Sequence, residues 1–127
     1  MRRFYLATRK DRTAEATAVA QALEAQGWER TLDWSTLDDQ ADSYAEIALA
    51  ELTAVRAADL LIVLLPGGLG THVEIGAALA LGKPVIIHAR DQVVLHTPYP
   101  CVFHYHPNVK LLVSEDLEVG ALISIIP

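Results

Sequence analysis

Apolar residues along the chain alternate between two spacings. Phe4 to Ala7 is a short continuous apolar run, and beyond it Ala16, Val19, Ala20 and Leu23 recur at i, i+3, i+4 and i+7 before Gly27 stops the pattern. The first spacing predicts a strand and the second an amphipathic helix. Trp28 to Trp34 alternates weakly and includes Arg30 and Asp33, as expected of an edge strand. A polar loop with Asp38, Asp39 and Asp42 then leads into a helical stretch ending near Ala58. LLIVLL at 60–65 is a branched apolar run of the kind found in a parallel strand buried on both faces. Residues 71–82 read as helix, PVIIHA at 84–89 as a second buried strand, VKLLV at 109–113 as a third, and the chain from about Ser114 as a final helix. Residues 90–108, rich in proline and histidine, read as an irregular insertion.

This alternation predicts an α/β fold: a single domain over residues 1–127, built on one doubly wound, five-stranded parallel sheet of Rossmann-like or flavodoxin-like order 2-1-3-4-5. In such a sheet, ligands bind beyond the carboxyl ends of the first and third strands, where the strand order reverses. The loops flanking that crevice are Thr8 to Arg12, the most basic short segment, and Pro66 to Thr71, the only glycine-rich loop. Gly67, Gly68 and Gly70 either let the backbone approach a ligand or simply make a tight turn. The helix after them offers unpaired N–H groups to an anion, with Thr71 at its start. The loop lacks the lysine and terminal Ser/Thr of a P-loop and is not spaced as GxGxxG, so neither an NTPase nor a dinucleotide dehydrogenase is indicated, and no cofactor is expected.

Composition narrows the partners. A net charge of −6 argues against gripping a nucleic-acid backbone, which needs a basic face. The first twelve residues nevertheless carry five cations against Asp11 alone, and Arg9, with Lys10 and Arg12, could hold a small anion. The apolar run at the start is too short for a signal peptide or a membrane span, so a soluble, cytoplasmic protein is expected. Cys101 is the sole cysteine and has no second thiol to pair with. His88, His96, His104 and His106 lack the spacing of a metal cluster, so no metal is expected.

Glu74 poses the sharpest question. It is followed by eight residues without an ionisable side chain. Thr71-His72-Val73-Glu74 has the form of a capping box, in which the glutamate reaches back to the N-cap amide. Against that, Ala77, Ala78 and Leu81 share its side, and the helix has no polar face onto which it could turn. A carboxylate buried beside a glycine loop at the mouth of a sheet is a candidate reagent. Glu51, on the helix before the third strand, shares a stripe with Ile47, Val55 and Ala58 and either faces inward or keeps its head in solvent.

DLLIVLLPGGLGTHVEIGAALALGKPV at 59–85, with FYLA at 4–7 and LDW at 32–34, resembles the nucleoside 2-deoxyribosyltransferase-like superfamily, which also contains deoxynucleoside 5′-monophosphate N-hydrolases. The resemblance implies that Glu74 attacks the anomeric carbon of a nucleoside or nucleoside 5′-monophosphate, forming a glycosyl-enzyme ester that a second base or water resolves. It implies that Tyr5 stands near the nucleophile and that Glu51 replaces an aspartate that orients the sugar. Asp33 and Trp34, at the same end of the sheet, are candidates to meet the base. Members usually pair, so a homo-oligomer, dimer or higher, is expected. The last helix, VGALISII, is either its interface or core. PGGLGTHVE also resembles the PGGxGTxxE motif of the Lonely Guy phosphoribohydrolases, an alternative that breaks the same class of bond. A nucleotide-binding sensor without turnover is the alternative from another class.

Overall fold

The computed structural model describes residues 2–33 and 43–127. Its sheet holds five parallel strands in the order β2-β1-β3-β4-β5, formed by β1 (Arg3–Thr8), β2 (Glu29–Arg30), β3 (Leu60–Leu64), β4 (Val85–Ala89) and β5 (Val109–Val113). Among the described residues, five α-helices connect or follow them: α1 (Thr13–Ala25), α2 (Tyr44–Ala57), α3 (Leu69–Ala80), α4 (Gln92–His96) and α5 (Val119–Ser124). The order expected from the alternation is the one found, and β3 and β4 are buried along their whole length, as the unbroken apolar run of β3 requires and as β4 allows with His88 as its one polar residue. Among the described residues, no helix is long and apolar enough to cross a membrane.

Because strand side chains alternate between faces, each strand feeds two cores. Phe4, Leu6, Leu60, Ile62, Leu64 and Ile86 pack with α1 residues Ala16, Val19, Ala20 and Leu23. Tyr5, Ala7, Leu61, Val63, Val85 and Ile87 pack on the opposite face with Ala54 and Val55 of α2 and Ile75, Ala78 and Leu79 of α3. Each large aliphatic side chain buried this way contributes roughly 1.5–3 kcal/mol. This parity sends Tyr5 and Glu74 to one side of the sheet and Arg12 and His88 to the other.

Three elements differ from the expectation. The edge strand shrinks to Glu29–Arg30, which pair with Arg3 and Phe4 of β1. The last helix begins at Val119 rather than Ser114. Ser114 is held in place by His88 and by its own hydroxyl, which donates to the Asp116 carbonyl at 2.8 Å. Within the insertion, Asp91 caps α4 by accepting from the Val94 amide at 3.0 Å. The apolar tail proves to be core: Leu122 is fully buried, and Val119, Ile123, Ile125 and Ile126 pack around the α1-side cluster.

Arg12 looks in the sequence like a solvated cation, yet it is 1% exposed. Its Nε and Nη2 donate to the two oxygens of Glu15 at 2.9 and 2.7 Å, Nη1 donates to the Leu65 carbonyl at 2.7 Å, and Nη2 also meets His88 Nδ1 at 3.0 Å. With Nδ1 accepting from Arg12, His88 donates its one N–H, on Nε2, to the Ser114 carbonyl at 3.0 Å. Burial, together with the Arg12 charge, lowers the His88 pKa and keeps the ring neutral. Arg90 adds a second cation to Glu15, and hydrogen bonds from Arg12 foremost hold the Glu15 carboxyl down to about 2. This network locks the Leu65 carbonyl, the last peptide before the glycine loop.

Arg12→Ala leaves buried acceptors without a donor and should cost about 3–5 kcal/mol in urea unfolding at neutral pH. Glu15 has a depressed folded pKa, so its share of that stability is present above the ordinary carboxylate range and lost as pH falls toward about 2. The gap between wild type and variant should therefore narrow below about pH 4.5; a pH-independent gap would rule out the Glu15 pairing as its source.

Candidate active site

Beyond the carboxyl ends of β1 and β3 lies a cleft of about 220 Å³. Residues from four elements meet there. Strand β1 contributes Tyr5, Ala7 and Thr8, the turn after it Arg9, helix α2 Glu51, and the loop and start of α3 Gly68, Gly70, Thr71 and Glu74. Thr8 is anchored by its hydroxyl to the Leu64 carbonyl at 2.6 Å, which ties the two strand ends together. A second cleft of about 230 Å³ sits at the opposite end of β4 and β5, and none of its lining side chains is a carboxylate, thiol or hydroxyl.

Glu74 is 6% exposed. It accepts a hydrogen bond from the Tyr5 hydroxyl, while its Oε2 is buried without a partner. Burial pushes its pKa up from the ordinary 4.5 to about 7; the Tyr5 hydrogen bond opposes the rise and the Glu51 charge adds to it. Burial first, then the Glu74 charge, drive the Tyr5 phenol far above its ordinary value, so the proton of this pair stays on Tyr5 whenever Glu74 is ionised. Glu51 is half-buried, and its pKa is raised by burial. The inward reading of Glu51 therefore holds.

The capping-box reading of Glu74 does not. Gly68 is the N-cap of α3, so Thr71 is the third helical residue and makes no side-chain cap. The helix starts earlier than its apolar spacing indicates because Gly68 itself turns from extended backbone into the first turn. Thr71 and Glu74 then both face the cleft from within the helix.

The glycines divide in role. Gly68 and Gly70 line the cleft, and a Cβ on either would meet nothing within 4 Å. Gly67 does not line it: a Cβ there would come within 2.5 Å of Thr71 Cγ2 and 2.7 Å of Thr71 Cβ, so this glycine lets the loop pack against the buried threonine.

Among the candidate anion ligands, Arg9 borders the cleft and is exposed, with Asp11 at 3.9 Å. Arg12 is committed to Glu15, Leu65 and His88 and faces the other core. Asp33 does not line the cleft; it lies 3.7 Å from Arg30 Nη1. Trp34 lies outside the described residues. Arg30, read in the sequence only as part of an edge strand, has a buried Nε without a partner, and its charge acts on Tyr5. Only its position on the strand beside β1 could have signalled this.

Two histidines also meet in space without any sign of it in their spacing. His72 in the first turn of α3 meets His104 from the insertion, with Nε2 atoms 3.0 Å apart, and Cys101 joins them. Residues thirty-two positions apart converge because the insertion folds back over the start of α3.

Residues 4–119 match the sequence profile of the family described as nucleoside 2-deoxyribosyltransferase. Among solved structures, the fold is similar to that of a Clostridium botulinum CMP N-glycosidase, BcmB, at 25% sequence identity, a TM-score of 0.62 and coverage of 98% of each chain. No curated protein sequence matches.

Glu74 binds its proton more tightly folded than unfolded, so between about pH 4.5 and 7 folding takes up a proton and stability falls as pH rises. Glu74→Gln removes that penalty. It should raise unfolding stability by up to about 3 kcal/mol at pH 8 and by little at pH 4.5, as measured by denaturant titration at the two pH values. An equal effect at both would mean that the carboxyl titrates normally.

Proposed function

The chain belongs to the nucleoside 2-deoxyribosyltransferase family, and from that premise we propose that it cleaves the N-glycosidic bond of a nucleoside 5′-monophosphate, with Glu74 as the nucleophile and water as the final acceptor. The observation that carries this reading is the Glu74 Oε2 atom, buried and unpartnered at an open cleft. A lone pair left without a donor in a low-dielectric site is costly in a structural carboxylate and necessary in an attacking one. The choice of a monophosphate rests on the similarity to a CMP N-glycosidase and on Arg9 at the rim, where it would meet a 5′-phosphate.

In the first displacement, ionised Glu74 donates an electron pair to C1′ as the C1′–N bond breaks and its electrons leave with the base, which takes up a proton. In the second, water attacks C1′ and releases a proton to solvent, which balances the one taken up by the base; the ester bond breaks, and Glu74 is regenerated as a carboxylate. Two displacements at one carbon retain configuration. Tyr5 keeps its proton throughout and holds the carboxylate ionised and oriented. Glu51, longer than the aspartate of the family pattern, accepts hydrogen bonds from the sugar hydroxyls.

Base release from 5′-monophosphates, followed by chromatography, should be abolished to the level of about 10³-fold or more by Glu74→Gln. The acid limb of kcat/KM should lie near pH 7, reporting the free-enzyme carboxyl. Tyr5→Phe removes an interaction that lowers that pKa and should move the limb to higher pH; Glu51→Gln removes one that raises it and should move the limb lower. Binding without base release would support the sensor alternative, and full turnover by Glu74→Gln would remove this glutamate from the mechanism.

The working molecule is a homo-oligomer in this reading. Support comes from large apolar side chains exposed on α2 and α3: Leu49 is 71% exposed and Leu69 91%, with Leu52 and Val73 beside them in sequence. Light scattering after gel filtration should give a multiple of the chain mass, and Leu49→Glu with Leu69→Glu should reduce it to the monomer. A wild-type monomer at tens of micromolar would refute the assembly.

A further inference from the structure

We propose that His72, Cys101 and His104 form a binding site for a divalent transition-metal ion of the zinc type. One ligand atom from each lies within 4.8 Å of the other two. The His72 and His104 rings are tilted by 37° with centroids 5.1 Å apart, and their Nε2 atoms face each other at 3.0 Å. Two nitrogens on a tetrahedral zinc at about 2.0–2.1 Å stand roughly 3.3–3.4 Å apart, so a shift of a few tenths of an ångström admits the ion.

Proton placement favours a cation between the rings. His72 Nδ1 is 2.9 Å from the Gly68 carbonyl and must carry hydrogen to bond it, which leaves the Nε2 lone pair free in the neutral ring. A backbone carbonyl fixing the far nitrogen is the usual outer support of a histidine ligand. If His104 answers with a proton on Nε2, its Nδ1 is left buried without any donor. If it carries the proton on Nδ1 instead, two lone pairs oppose each other at hydrogen-bond distance. An ion taking both Nε2 pairs and the Cys101 thiolate removes that repulsion. It also compensates the desolvation of His104, which is 4% exposed.

The donor set of one thiolate and two imidazoles, with a fourth position for water, suits zinc and its tetrahedral substitute cobalt and disfavours magnesium and calcium. Cys101 and His104 belong to the insertion, at the N-cap and within the short 3-10 turn Val102–Tyr105, whereas His72 belongs to α3. The ion would therefore tie the insertion to the helix start, and through the His72 bond to Gly68, to one wall of the cleft.

The test is a titration of EDTA-treated full-length chain with Co²⁺, then Zn²⁺. One equivalent of Co²⁺ should produce tetrahedral d–d bands and a thiolate-to-cobalt charge-transfer band, both bleached by one equivalent of Zn²⁺. Cys101→Ser, nearly isosteric, should eliminate the charge-transfer band, and His104→Gln should weaken Zn²⁺ binding at least about tenfold, with circular dichroism confirming that both variants fold. Absence of a charge-transfer band in the wild-type protein overturns the proposal. So does Zn²⁺ affinity unchanged in both variants. Neither readout depends on base release, so this site and the glycosidase reading stand or fall separately.

Discussion

The whole arrangement depends on one constraint: an acidic side chain must be kept out of water at the crevice between β1 and β3 without being neutralised by a cation. The apolar sequence of α3 achieves the first half, since it leaves no hydrophilic side toward which Glu74 could swing. The second half follows from topology. Side chains facing α2 and α3 come from alternate strand positions that are otherwise apolar, and Tyr5 is the only one of these strand groups that can donate a proton toward the carboxylate. A phenol stabilises the anion by a hydrogen bond while adding no charge, so the acid retains a pKa at which its ionised and protonated forms compete on nearly equal terms near neutrality.

Arg12 shows what the same sheet does with a buried charge meant only to hold structure. Every nitrogen of that guanidinium is met, by Glu15, by Leu65 or by His88, and Arg90 adds a second cation beside Glu15. Glu74, one layer away, is met on one side only. Completeness of pairing therefore separates the two buried charges more sharply than burial does, because an unsatisfied lone pair has free-energy cost that persists only where something else maintains it. The two sites are mechanically joined as well: Arg12 grips the carbonyl of Leu65 beneath the glycine loop, and His72 grips that of Gly68 on its far side. The loop between them is fixed at both ends, so its backbone is placed before any ligand arrives.

Much of this was written in local patterns. The runs at 60–65 and 84–89 identify doubly covered strands, and their alternation with helices predicts the strand order that places the crevice. Glu74 stood out because its neighbourhood offers no polar side. What escaped a linear reading depends on tertiary pairing. Arg12 sits in a basic cluster that resembles an anion site until the fold brings Glu15 and His88 around it. The capping-box pattern at 71–74 is real as a pattern, but Gly68 starts the helix a turn earlier and makes it irrelevant. Gly67, grouped with its neighbours as part of a cradle, is required by contact with Thr71, a relation visible only in space. The convergence of His72 with Cys101 and His104 was not legible in the sequence because His72 lies on α3 and the other two in the insertion that folds back over it.

The charge layout of the cleft has a direction. Two carboxylates occupy its inner part, each made harder to ionise by burial, and the exposed Arg9 stands at its edge. Under the proposed function, a 5′-phosphate would be repelled from the acids and drawn to the rim, which would turn an entering nucleotide so that its sugar faces Glu74. The carboxylate pair is poorly matched to a neutral sugar, since each anion is disfavoured by the other. In the proposed reaction, positive charge would gather on the sugar ring as the glycosidic bond stretches, and both anions would become favourable together. The interaction is thus weak in the ground state and strong at the barrier, which is the condition under which binding energy accelerates a reaction rather than merely retaining its substrate.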